Sequence, residues 1–197
     1  MRFLKENSYS IVKLYINQLG ISIFSLLLYS AVATLKNEEL SLNLTIGISV
    51  FAILFYFALI YTAAWDIGAA DIIKIEAGRI KSQKSKGALM SFFANIVNFV
   101  LAAICVIAML LYINGIDGAI GFSQVANLIL RLTYAMHIGI LQGIFKSFAS
   151  DANMYNLLQS CGYLALPILT IIVTHIGYIF GMKNLKIFAS SKKTKNK

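Results

Sequence analysis

Phe122–Lys146, FSQVANLILRLTYAMHIGILQGIFK, decides the threading of the chain, because its course sets the side on which everything after it lies. On a helical wheel Gln124, Asn127, Arg131, Gln142 and Lys146 share one narrow stripe, while Val125, Ile129, Leu132, Met136 and Ile140 cover the opposite face. A helix lying flat in the membrane interface has low net hydrophobicity and a broad charged face, and this stretch is too apolar for that. A partly inserted or re-entrant segment, with its stripe against protein or a water-filled cavity, suits both the apolar bulk and the stripe. The expected fold class is therefore all-α: a polytopic helical membrane protein with four spans plus one partly inserted or re-entrant amphipathic helix over 122–146. Five full spans is the alternative.

Composition sets the solvent. Apolar residues make up 59% of the 197 residues and charged residues 13%, against roughly 45–50% and 25% in soluble domains, so there is too little polar surface for a water-soluble globule. One Pro and no Ser/Gly/Pro-rich or charge-rich linker leave no domain boundary, and no internal repeat of useful length is visible, so residues 1–197 read as a single helical membrane domain. The net charge of +9 does not point to nucleic acid. Its Lys and Arg residues fall between apolar runs and at the two ends, where they set orientation and meet anionic headgroups of the lipid bilayer. Cys105 and Cys161 lie in apolar runs without CxxC spacing or nearby His, and read as small buried hydrophobes.

Four runs have spanning length: about 14–35, 46–65, 88–112 and 161–182. The first follows Arg2, Lys5 and Lys13; its h-region, ISIFSLLLYS, and Ala31-Val32-Ala33 also fit a secretory signal, but Asn17 and Gln18 dilute that signal and an uncleaved anchor is preferred. The second is aromatic along Phe51, Phe55, Tyr56, Phe57, Tyr61 and Trp65, which reads as lipid contact with interfacial anchors. The segment after it, DIGAADIIKIEAGRIKSQKSK, reads as a loop with Lys74, Arg79, Lys81, Lys84 and Lys86; the spacing of Asp66, Asp71 and Glu76 does not stack them as metal ligands on one helical face. In the third run Ser91, Asn95 and Asn98 share a face, as interhelical packing residues or as part of a polar pathway. The last carries Gly177 and Gly181 as a GxxxG pair above Thr170 and Thr174, with Pro167 as a kink site, and leads into a basic tail, 183–197, of Lys183, Lys186, Lys192, Lys193, Lys195 and Lys197.

If 122–146 enters and leaves on one side, fourteen of the seventeen basic residues share the other side, and only Lys36, Arg131 and Lys146 do not. Five full spans divide them almost evenly. The positive-inside rule thus prefers the first threading, with both termini cytoplasmic. Arg131 at mid-bilayer costs roughly 2.5–3.5 kcal/mol on insertion scales and calls for a partner, either a carboxylate, with Glu38, Glu39, Asp117 and Asp151 as the acids on its side, or outward-facing carbonyls. His137 and His175 are the remaining ionisable residues in apolar runs, and a lone His there reads first as a packing residue.

No HExxH, GxSxG, P-loop, dinucleotide-binding glycine signature or paired carboxylates occur, so no catalytic, cofactor or metal residues are nominated and the chain is not read as an enzyme. The stretches KLYINQLGISIFSLLL, LIYTAAWDIGAADIIKIEAGRI and IGYIFGMKNLKIF resemble a group of small, uncharacterised, multi-span membrane proteins of low-GC Gram-positive bacteria. That resemblance implies a bacterial plasma membrane and transfers no activity. Two functions follow from the residues. One is a non-enzymatic subunit that works by contact with a membrane-protein partner or a second copy of the chain. The other is an oligomeric permeation or transport protein in which Asn95, Asn98, Arg131 and His137 line a polar route for an anionic solute. With no repeat in the sequence, the contact role is preferred.

The threading makes a direct prediction. Alkaline phosphatase fused after Lys197 should be inactive and a cytoplasmic reporter there active; the reverse pattern would invert the orientation.

Overall fold

The computed structural model describes residues 2–185. All regular structure among them is helical: α1 (Arg2–Val32), α2 (Glu38–Glu76), α3 (Lys86–Ala94), α4 (Ile96–Ile113), α5 (Ala119–Thr133), α6 (Ile138–Phe148) and α7 (Ala152–Met182), with a single 3-10 turn, Ala135–His137, between α5 and α6. Four helices, α1, α2, α4 and α7, are long and apolar enough to cross a membrane, and a fifth crossing would need α5 and α6 to act as one span although they meet at 88°.

The helix ends carry their own signals. Asn37 and Asp151 cap α2 and α7, each accepting a bond from the backbone N–H three residues on, Leu40 at 3.0 Å and Met154 at 2.8 Å. Two helices end on a left-handed glycine, Gly78 after α2 and Gly115 after α4. In both, the following N–H (Arg79, Ile116) reaches back to the carbonyl five residues earlier, Lys74 or Leu111, at 2.9 and 3.1 Å. A residue with a Cβ is strained in that conformation, so glycine fixes these two turns.

Side-chain pairs give the direction of each helix. Against α7, the third span pairs Gly87 with Tyr178, Ser91 with Thr174, and Cys105 with Ser160. Residue numbers rise on one side as they fall on the other, so α3–α4 runs antiparallel to α7, and this register continues through the break at Asn95. Helix α2 runs parallel to α7, because Tyr61 and Trp65 meet Gly177 and Gly181 in the same order. Helix α1 is antiparallel to α2, with the Tyr29 hydroxyl 2.6 Å from that of Ser49.

These directions place the start of α1, the α2–α3 connection and the end of α7 at one end of the bundle, hereafter the basic end. The end of α4 and the start of α7 lie at the other. The α5–α6 pair leaves α4 and reaches α7 at that same far end, so it enters and returns: it is re-entrant. Four spans plus a re-entrant segment is the architecture, and its central part is two helices at a sharp angle rather than one amphipathic helix over 122–146.

The spans differ from the apolar windows at their edges. Helix α1 begins at Arg2 rather than 14; α2 continues through Asp66, Asp71 and Glu76, which were expected in a loop; and α7 begins at Ala152 rather than 161. Hydropathy reads only the part of a helix that meets hydrocarbon, and these helices continue beyond it. The third span is interrupted at Asn95, which lies outside both α3 and α4. Helix α7 runs through Pro167. Of the tail lysines, those from Lys186 onward lie outside the described residues.

Helix α7 meets α2 through small residues. A Cβ on Gly177 would sit 2.6 Å from the Tyr61 carbonyl oxygen, and one on Gly181 would collide with the carbonyl of Trp65; Gly68 on α2 opposes the α7 backbone at Tyr178 in the same way. Bare backbone on both helices permits that approach, which substitutes for the hydrophobic drive that lipid cannot supply. Gly177→Leu should therefore destabilise the bundle by about 1–3 kcal/mol. Gly20→Leu, with nothing within 4 Å of the added Cβ, should leave the thermal unfolding of the detergent-solubilised protein unchanged. Equal behaviour of the two variants would contradict the packing.

Candidate functional site

A chain that reverses within the hydrocarbon exposes the last carbonyls of one helix and the first amides of the next, where water cannot satisfy them. Two spans supply the missing partners. The Thr133 carbonyl, at the end of α5, accepts from Ser22 Oγ at 2.6 Å and Gln18 Nε2 at 3.3 Å, both on α1. The Gly139 amide, in the first turn of α6, donates to Ser49 Oγ of α2 at 2.8 Å, and that hydroxyl also bonds Tyr29. Gly139 lies against the Thr45 carbonyl, where a Cβ would overlap backbone. Gln18 and Ser22 lie near the middle of the 31-residue α1, so the reversal sits at about half the depth of the bundle.

Stopping α5 there puts Arg131 two residues before its end, on the wall of a cleft of about 280 Å³. Ser123, Gln124, Asn127 and Arg131 of α5 and Asn156 of α7 are its polar lining, with Met109 of α4 among its apolar residues. Arg131 donates to Gln159 Oε1 at 2.9 Å, and Asn127 Nδ2 reaches the same oxygen at 3.4 Å. Gln159 is almost completely buried on α7, whereas Arg131 is exposed. Among the described residues no Asp or Glu lines the cleft. The guanidinium has five N–H donors in a planar fork, more than one amide oxygen can accept. Cation, carboxamides and hydroxyl together form a set that recognises a small anion.

Of the partners expected for Arg131, a carboxylate is not supplied: among the described residues none pairs with it, and its acceptor is the neutral Gln159. An amide satisfies the hydrogen bond without cancelling the charge. Nor does the structure bring Asn95, Asn98 and His137 to the cleft wall with Arg131. They lie beneath it in a closed layer, all nearly fully buried. Tyr134 donates to Asn95 Oδ1 at 3.2 Å, Asn98 Nδ2 lies 3.4 Å from the same oxygen, and Asn95 Nδ2 donates to the Ser91 carbonyl at 3.0 Å. His137 meets the Tyr134 ring edge-on, with centroids 5.7 Å apart. The stack of Tyr134 on Tyr163, 6.1 Å apart and 16° from parallel, separates this layer from the cleft. Gln142 and Lys146, read with Arg131 as one stripe, lie beyond the bend on α6.

Gln159, Gln18, Ser22 and Ser49 were missed. Gln159 falls just outside the apolar window of the last span. The positions Gln18, Ser22, Ser25 and Tyr29 recur at four, three and four residues, the spacing of a helix face turned toward protein, and that signal was present in the sequence. No His, Cys, Asp or Glu group that could hold a metal occurs among the described residues. Comparison with protein-family models, curated proteins and solved structures yields no match.

The Arg131–Gln159 bond is open to a double-mutant cycle. Gln159→Leu removes the acceptor and Arg131→Leu the donor, and a charge-assisted bond predicts that their thermal destabilisations are coupled by about 1.5–3 kcal/mol, with Arg131→Leu/Gln159→Leu less damaged than the sum. Additive effects would show that the two side chains do not support each other.

Proposed function

We propose that this membrane protein binds a small anionic solute in the cleft that ends at Arg131, as the recognition step of permeation or transport. One observation carries the reading: an arginine with no carboxylate partner among the described residues, on the wall of a polar cleft at the apex of a re-entrant helix pair. Ionisable groups at membrane depth are costly and mark solute or ion pathways, and irregular backbone there is tolerated where it lines a cavity. A role of contact alone, preferred from the sequence, uses none of these features, and lipid accounts for the apolar outer faces.

On the charge rule the membrane is entered with the basic end cytoplasmic, and the resemblance noted above suggests a bacterial plasma membrane. The cleft then opens outward. Beneath it the Tyr134–Tyr163 stack and the layer of Asn95, Asn98 and His137 close the route, so passage requires the bend at 134–137 to move. Four spans are few for one carrier, and the transporting unit is expected to contain more than one chain.

The test is anion-dependent stabilisation of the purified protein by formate, acetate, lactate and inorganic phosphate. At least one should raise the Tm saturably, and Arg131→Gln should weaken its apparent affinity by roughly tenfold to a hundredfold, the value of one charge-assisted contact. Absence of a saturable shift, or an equal shift in Arg131→Gln, would contradict the proposal.

A further inference from the structure

The opposite end of the bundle holds a second, larger cavity, of about 700 Å³. Its base is built around Asp71, whose side chain is 3% exposed. Lys86 donates to Asp71 Oδ2 at 2.7 Å and Tyr178 to the same oxygen at 3.0 Å, while Lys74 stands 4.0 Å from Oδ1. The acid thereby joins α2, α3 and α7 and holds the Lys86 stem, its side chain 16% exposed, against the cavity. Arg79 and Lys81, carried on the turn that Gly78 makes possible, supply the rim. Four cations and two acids, Asp71 and Glu6, line the space, leaving two positive charges. The amino end of α3 adds to them, since its cap residue Ser85 makes no side-chain capping bond.

Depth in the bilayer narrows the ligand. Trp65, six residues before Asp71 on α2 and so about 9 Å deeper, donates its indole N–H to the Leu185 carbonyl at 2.7 Å. Tryptophans favour the boundary between hydrocarbon and headgroups. Ile80, 37% exposed, lines the cavity and offers apolar contact beside the charges. A cation-lined space at headgroup level with an apolar margin matches a lipid phosphate whose acyl chains stay in the membrane. We propose that this basin is a binding site for the phosphate of an anionic phospholipid, held by Arg79, Lys81 and Lys86, with Asp71 as the positioning residue for Lys86.

Removing exposed rim charges tests the site without touching the buried Asp71–Lys86–Tyr178 contacts. The full chain is reconstituted in nanodiscs of phosphatidylcholine doped with phosphatidylglycerol, and retained lipid is counted by native mass spectrometry. Wild-type protein should retain phosphatidylglycerol in preference to phosphatidylcholine, and Arg79→Gln/Lys81→Gln should lower that preference by roughly tenfold or more. Any rise in Tm with millimolar inorganic phosphate should be the same in the two proteins, since both keep the Arg131 cleft. Equal lipid preference in the two proteins would overturn the site. A phosphate-induced rise in Tm that depends on Arg79 and Lys81, without lipid preference, would assign the basin to a soluble phosphate ligand and overturn the lipid assignment.

Discussion

The structure depends on satisfying a broken backbone inside an apolar medium. Each unpaired carbonyl or amide there costs several kcal/mol, and the reversal between α5 and α6 exposes such groups at half depth. Gln18, Ser22 and Ser49 supply the partners. Without them the chain would have either to cross or to leave the membrane. The polar face of α1 and the hydroxyl of α2 are thus what permits α5 to stop, and the stop is what leaves Arg131 beside a cleft instead of in lipid.

The buried polar residues of α7 tie this reversal to the rest of the bundle. Gln159 holds Arg131; Tyr163 stacks on Tyr134; Thr174 bonds Ser91; and Tyr178 bonds Asp71. These positions fall on one side of the helix, and Gly177 and Gly181 beside them admit α2. Gln159 and Tyr178 are nineteen positions apart, about 28 Å of helix, so one helix spans from the cleft to the basic end. Lipid gives helices no hydrophobic reason to associate, and this run of hydrogen bonds with close backbone contact is the substitute.

The crossing helices were legible in the sequence because apolar length and the positions of Lys and Arg are local properties. The re-entrant course of 122–146 followed from the same charges. Its sharp bend did not, because LTYAMHI contains neither Pro nor Gly, and the groups that stabilise the break come from residues 90 to 115 positions away. Arg131 was recognisable as a residue in need of a carboxylate or of carbonyl oxygens, but not as the partner of a side-chain amide. Gln159 satisfies the donor while keeping the charge, an option that a count of carboxylates does not reveal. Asn95, Asn98 and His137 share polarity with Arg131 but not its surroundings: periodicity along single helices could not show that the Tyr134–Tyr163 pair would close over them.

The central claim is that α5 and α6 enter and leave on one side. Single cysteines at Asn114, Ser150 and Ser82, introduced into a chain with Cys105→Ala and Cys161→Ala, can be labelled by a membrane-impermeant maleimide in right-side-out and inverted vesicles. The account predicts that Asn114→Cys and Ser150→Cys react in the same vesicle orientation and Ser82→Cys in the other. Reaction of Asn114→Cys and Ser150→Cys from opposite sides would mean that the segment crosses, and would contradict it.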